Sequence, residues 1–193
     1  GTSRTLRVFW TLHELGVDYD YREIRARTPD MDDLSFLAIS PGKKIPALTH
    51  GELKLVESGA ITRYLFNKFG DRSIPTDEMA IIDRWVFFIL MEIDATALYV
   101  MRRHGDLSDV YGAAPAALQA AQSYFDRQIT IIDEVLSDNN FFLVGNQLSE
   151  ADIHLGTCCS WATQYGLSLP SQVAIYYRRI SQRPAYTEAI EVN

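Results

Sequence analysis

The stretch Lys43-Lys44-Ile45-Pro46-Ala47-Leu48, followed nine residues later by Glu57-Ser58-Gly59-Ala60-Ile61, decides how the first third of this chain reads. Pro46 stands between apolar residues at the point where a strand should begin. Proline lacks an N–H and holds φ near one value, so it fits a strand start or a turn and not the middle of a sheet. A cis Ile45–Pro46 bond would turn the chain sharply and present the N–H and C=O of Ile45 to solvent. An extended peptide pairs with such groups as an added strand does. Glu57-Ser58 then opens an amphipathic helix through Ile61-Thr62-Arg63-Tyr64-Leu65. Helix N-termini bind carboxylates, because their first N–H groups lack partners and the dipole is positive there. A peptide clamp beside a carboxylate trap points to a small anionic peptide as ligand.

Outward from this stretch, Leu6, Phe9, Trp10, Leu12 and Leu15 recur at helical spacing, and Gly16 is a natural stop. Tyr19-Asp20-Tyr21-Arg22-Glu23-Ile24 alternates and predicts a strand. Residues 30–38 predict a short irregular helical piece, and Pro41-Gly42 a turn. Ile45–Thr49 and Leu53–Val56 predict short strands joined by His50-Gly51-Glu52, with a helix from about Ser58 to Phe69. Helices alternating with strands and ending in a hairpin make a small α/β sheet. Gly70–Thr76 is the composition break, and no strand pattern follows it. Residues 77–103, Ala114–Ser137, Ser149–Tyr165 and Gln172–Ser181 predict helices, with Pro184 interrupting before a short last one. The reading is therefore α/β plus all-α: residues 1–70 as one domain and 77–193 as an all-helical second one.

A net charge of -7 argues against nucleic acid as a main partner, because phosphate binding needs a basic surface. It leaves room for an anionic small molecule in a local basic pocket. No apolar run is long enough to span a membrane, since charges soon follow Val86-Phe87-Phe88-Ile89-Leu90-Met91, and no membrane partner is expected. The start carries no signal-peptide pattern. Cys158 and Cys159 are adjacent, read as small apolar side chains, and fit a reducing, cytoplasmic compartment. No pair of histidines has metal-ligand spacing with an acid nearby, so no metal is expected.

In order and spacing, four blocks resemble the cytosolic glutathione S-transferase family. They are Ser3-Arg4-Thr5-Leu6-Arg7-Val8-Phe9-Trp10 running into His13-Glu14-Leu15-Gly16-Val17-Asp18-Tyr19, then Ile45-Pro46-Ala47-Leu48, Glu57-Ser58-Gly59-Ala60-Ile61, and Leu148-Ser149-Glu150-Ala151-Asp152-Ile153. The resemblance covers nearly the whole chain and implies a thioredoxin-like glutathione-binding domain followed by an all-helical domain that supplies the substrate pocket. The absence of tyrosine and cysteine around Ser3, at the start of the first block, implies the serine-type, bacterial-like branch. The family carries a strand ahead of this first helix, so the resemblance implies N-terminal residues beyond those given. An intact mass equal to that of these 193 residues would refute that expectation.

The resemblance also assigns roles. Ser3 is the expected catalytic hydroxyl, donating to the glutathione sulfur, and it also reads as the N-cap of the first helix. Thr2 and Thr5 are alternatives. A free thiol has a pKa of about 8.5, so few thiols are ionised at neutral pH, and a donor that bonds only to S⁻ lowers that value. Lys44 is expected at the glycyl carboxylate, with Lys43 competing. Ile45, ahead of the cis-type Pro46, is expected to pair with the cysteinyl unit. Glu57 and Ser58 are expected at the γ-glutamyl ammonium and carboxylate. Ser149-x-x-Asp152 reads as a capping box, a structural feature. Tyr99, Met101, Arg102, Arg103 and His104 are candidates for the electrophile pocket or an ordinary helix end.

The expected activity is transfer of glutathione to a hydrophobic electrophile in detoxification, by a homodimer, with glutathione as co-substrate and peroxide reduction as a side activity. The alternative is a non-catalytic, transferase-like module that binds glutathione or other proteins.

Overall fold

The computed structural model describes residues 1–70, 74–136 and 140–193. In chain order it contains α1 (Ser3–Glu14), a 3-10 turn (Pro29–Asp32), α2 (Leu34–Leu37), β1 (Ala47–His50), β2 (Leu53–Val56) and α3 (Ser58–Phe69). Then come α4 (Thr76–Phe88), a π-helical segment (Ile89–Leu98), α5 (Tyr99–His104), α6 (Ser108–Tyr111), α7 (Pro115–Leu136), α8 (Glu150–Gln164), α9 (Ser171–Ile180) and α10 (Pro184–Val192). Residues 71–73 of the composition break and Ser137, the expected end of the second long helix, lie outside the described residues. The chain divides into two compact units, Gly1–Ser73 with Gln182–Asn193, and Ile74–Ser181.

In the first unit α1 packs on α3, burying Val8 and Leu12 against Ile61 and Leu65, with Leu48 and Leu55 of the hairpin closing over them. β1 and β2 pair antiparallel, Ala47 opposite Val56 and His50 opposite Leu53. Gly51 turns the hairpin at φ +57°, a conformation that costs a glycine nothing. Tyr19–Ile24 forms no strand. A strand needs a partner for its ladder, and β1–β2 is the only sheet among the described residues.

α10 belongs to this first unit, whereas the sequence pattern groups it with the downstream helices. Its anchor is Arg183, whose Nε and Nη2 donate to Glu14 Oε1 and Oε2 at 2.6 and 2.7 Å. Trp10 Nε1 donates to the same Glu14 at 2.8 Å, and the Trp10 ring meets Tyr186 edge-on with centroids 4.7 Å apart. Nothing in the local pattern of residues 182–193 encodes a partner some 170 positions upstream.

The second unit is built round α8, which buries every residue from Glu150 to Ala162. A helix buried on all sides forms a core centre, and this one does so while carrying Glu150, Asp152, His154, Thr157 and Ser160. Here it packs against α4, the π segment and α9. The expected long helix of residues 77–103 is present as α4, the π segment and α5 in succession. Apolar spacing does not distinguish i→i+5 from i→i+4 turns, so the π segment was not legible in the residues. The expected box at Ser149 and Asp152 is formed, with Asp152 Oδ2 accepting from the Ser149 N–H at 2.8 Å and from its hydroxyl at 2.9 Å. No strand follows Val56 among the described residues.

Candidate functional site

Three hydroxyls cluster at the start of α1, and their bonds separate them. Thr2 is the N-cap: its Oγ1 accepts from the Thr5 N–H at 3.1 Å, and Thr5 Oγ1 accepts from the Thr2 N–H at 2.7 Å. Thr5 Oγ1 also donates to the Thr2 carbonyl at 2.8 Å and to Asn193 Oδ1 at 2.5 Å. The cap expected at Ser3 is thus one residue earlier, because a capping box needs a side-chain acceptor three positions after the cap, which Thr5 supplies for Thr2 and Leu6 cannot supply for Ser3. Ser3 is the first helical residue, half-buried, and its hydroxyl engages no protein group among the described residues.

The lysine pair separates in the same way. Lys43 has φ +51° and its ammonium is held by Asp32. Lys44 is exposed, and its ammonium meets no carboxylate among the described residues. Its peptide is braced by Ser40, which is buried. The Ser40 hydroxyl donates to the Lys44 carbonyl at 2.8 Å, and the Lys44 N–H donates to the Ser40 oxygen at 3.0 Å. Ser40 was not singled out by pattern, and only its place before the Pro41-Gly42 turn hinted at it.

The next peptide bond, Ile45–Pro46, is cis. Among the described residues neither the N–H nor the C=O of Ile45 is paired within the chain. Unpaired backbone at a partly buried position is an open offer to an extended ligand.

At Glu57 the backbone adopts φ 70° and ψ 115°, a region that non-glycine residues rarely enter. The carboxylate is exposed and caps nothing. The first helical bond of α3 is Ile61 N–H to the Glu57 carbonyl, at 3.0 Å. The N–H groups of the preceding turn therefore face outward from a positive helix end. Ser58 is buried there, and Arg7, fully buried on α1, donates from Nη1 to its Oγ at 3.3 Å. Ser3 and Arg7 are four residues apart on α1 and share one face, so the start of α1 and the start of α3 border one region of the first unit.

In the second unit, α5 carries the pocket candidates Tyr99, Met101, Arg102, Arg103 and His104. Arg103 stacks over Tyr111 at 4.6 Å, and His104 Nδ1 donates to the Gly112 carbonyl at 2.9 Å. Both are ordinary helix-end contacts. Among the described residues no group of three or more His, Cys, Asp or Glu side chains is placed to hold a metal, and no helix is long and apolar enough to cross a membrane.

The sequence and the fold of the chain are matched by known proteins. The glutathione S-transferase N-terminal domain family matches residues 3–73, and the glutathione S-transferase C-terminal domain family matches residues 84–184. A glutathione S-transferase of Hyoscyamus muticus is 25% identical over 201 residues, spanning 96% of this chain and 92% of its own length. A protein of Arabidopsis thaliana named "Probable elongation factor 1-gamma 2" is 36% identical over 121 residues, which are 61% of this chain and 28% of that longer one. Among solved structures, a glutathione transferase homolog from Lodderomyces elongisporus with two GSH per subunit superposes with a TM-score of 0.87 at 19% identity, over 99% of this chain and 94% of that one.

Proposed function

The chain belongs to the glutathione S-transferase family, and from that premise we propose that it binds glutathione on its first unit and activates the thiol through the Ser3 hydroxyl. The thiolate then forms a bond to carbon in a hydrophobic electrophilic small molecule. The observation that carries this reading is that Ser3, alone of the three hydroxyls at the start of α1, has its hydrogen bond unspent. A hydroxyl that donates only to S⁻, beside a helix N-terminus, lowers the thiol pKa from about 8.5, and each unit is worth about 1.4 kcal/mol. Catalysis combines this activation with the holding of two reactants at close range.

The same geometry supports the other roles. The free ammonium of Lys44 takes the glycyl carboxylate, and the unpaired peptide groups of Ile45, held before cis Pro46, pair with the cysteinyl unit. Glu57 takes the γ-glutamyl ammonium, while Ser58 and the first N–H groups of α3 take its carboxylate. Peroxide reduction by the same thiolate is the side activity, and no metal takes part. The protein acts as a homodimer in the reducing cytoplasm. Support for the dimer comes from Ile81, Phe87 and Met91, exposed apolar residues of α4 and the π segment that a second copy would cover.

Titration of the bound glutathione thiolate by its ultraviolet absorbance, on the wild type and on Ser3→Ala, tests the reading. A bound pKa well below that of free glutathione, restored toward it by the substitution, supports it. Tight binding with an ordinary thiol pKa in both proteins instead favours a non-catalytic, transferase-like binding module. The likeness to the elongation factor 1-gamma protein supports that second reading.

A further inference from the structure

Arg7 has a place in the first unit that the activity just proposed does not use. It is fully buried, yet it lies on the face of α1 that Ser3 begins, and its Nη1 reaches the Ser58 hydroxyl at the first helical position of α3. A buried guanidinium is costly to desolvate, and its fold-level return lies in the groups it bonds. A serine hydroxyl is ambivalent: it has one proton to give and two lone pairs to offer. Once a guanidinium occupies a lone pair, the proton turns away from Arg7 and Ser58 presents itself as a donor.

We propose that Arg7 is a positioning residue of the glutathione site, fixing the Ser58 hydroxyl as a donor to the α-carboxylate of the γ-glutamyl unit. The proposal rests on the reading of α3's N-terminus as the γ-glutamyl site. Charge placement agrees with it. The cation lies buried behind Ser58, while the exposed Glu57 carboxylate stands one residue before it. The two flank the start of α3 with opposite signs, the pattern that an α-amino acid zwitterion requires. Such a site selects for a carboxylate at Ser58, because an uncharged or donor group there would meet both a donor hydroxyl and a positive helix end.

The probes are glutathione and γ-aminobutyryl-cysteinyl-glycine, which keeps the amine, the thiol and the glycyl end but lacks the α-carboxylate. Calorimetry measures both on the wild type, Arg7→Met, Arg7→Lys and Ser58→Ala. Arg7→Met is expected to weaken glutathione about ten- to a hundredfold, as loss of a charge-assisted bond does. It should leave the analogue within about twofold, and Arg7→Lys should fall between. In turnover the loss should appear in KM for glutathione, with the bound-thiol titration unmoved. Equal weakening of both peptides, or of neither, overturns the proposal and leaves Arg7 a structural residue. If Arg7→Met does not fold, Arg7→Lys is compared in the wild-type and Ser58→Ala backgrounds. A lysine effect that vanishes without Ser58 supports the proposal, and one that persists sinks it. Failure of the wild type to prefer glutathione over the analogue is a different result, because it removes the γ-glutamyl reading itself, and the proposal with it.

Discussion

The Tyr176 phenol donates to Asp152 Oδ1 at 2.5 Å, across 24 residues and between α9 and the first turn of α8. The same oxygen accepts from the Leu143 N–H at 2.8 Å, and the other oxygen accepts twice from Ser149. A capping-box reading prices Ser149 and Asp152 alike, at about 0.5–2 kcal/mol. The structure separates them. Asp152→Ala strands two backbone donors and a buried phenol, so it should cost about 3 kcal/mol or more, whereas Ser149→Ala and Tyr176→Phe should each cost about 1 kcal/mol. Urea unfolding of the three variants checks the order, and equal losses for Asp152→Ala and Ser149→Ala would contradict it.

Thr2→Ala should behave as a lost helix cap. It is expected to destabilise the protein by about 1 kcal/mol and to leave the bound-thiol titration where the wild type has it. A raised thiol pKa in Thr2→Ala, with none in Ser3→Ala, would shift the donor to Thr2.

Lys43 and Lys44 should differ in binding. Lys44→Met is expected to weaken glutathione about tenfold, since it removes a free cation, while Lys43→Met should change affinity little. The Lys43–Asp32 pair is exposed at both ends and contributes at most about 1 kcal/mol to stability. Calorimetry on both variants decides between them, and the reverse order would refute the assignment.

Glu14 is expected to hold α10 on α1. Its carboxylate is 8% exposed and satisfied by Trp10 and Arg183, so Arg183→Met should cost about 2 kcal/mol and raise proteolysis at residues 182–193. Limited proteolysis with mass analysis reads the site directly. Cleavage confined to other segments would show that the ion pair does not secure α10.

Tyr165 gives a pH dependence. Burial, and then its 2.6 Å bond to Asp106, push the phenol up to about 12 from an ordinary value near 10. The folded state thus holds this proton more tightly than the unfolded chain. Stability from Tyr165 is complete below pH 10 and is lost as pH rises toward about 12. Tyr165→Phe should flatten the fall in unfolding free energy over that window and remove one late-titrating tyrosine from the alkaline absorbance titration. An unchanged slope would contradict the shift.

Much of this protein was legible without coordinates because its signals are local. Pro46 after Ile45, Glu57-Ser58 before an apolar helix, and Ser149-x-x-Asp152 each act through neighbours a few positions away, so their spacing alone carries the geometry. The long helices α1, α3, α7, α8 and α9 followed for the same reason, since a 3.6-residue repeat is itself a local property, whereas α6 and the π segment did not. Tyr19–Ile24 failed as a strand because alternation states only which faces a strand would have, while a ladder requires a partner.

What only the tertiary structure decided is which of several equivalent groups is already occupied. The sequence placed Ser3 ahead of Thr2 and Thr5, and Lys44 ahead of Lys43; only the fold bonds Thr5 to Thr2 and Asn193, and Lys43 to Asp32. Arg7 has no role assigned by the sequence pattern, yet the fold buries it against Ser58, and α10, which the pattern groups with the downstream helices, is tied to α1 through Glu14 and Arg183. Apart from the local Thr5–Thr2 bonds, these pairings join residues from 11 to 188 positions apart. Such pairings are chosen by packing, because a polar group buried on folding must take whichever partner the surrounding elements deliver.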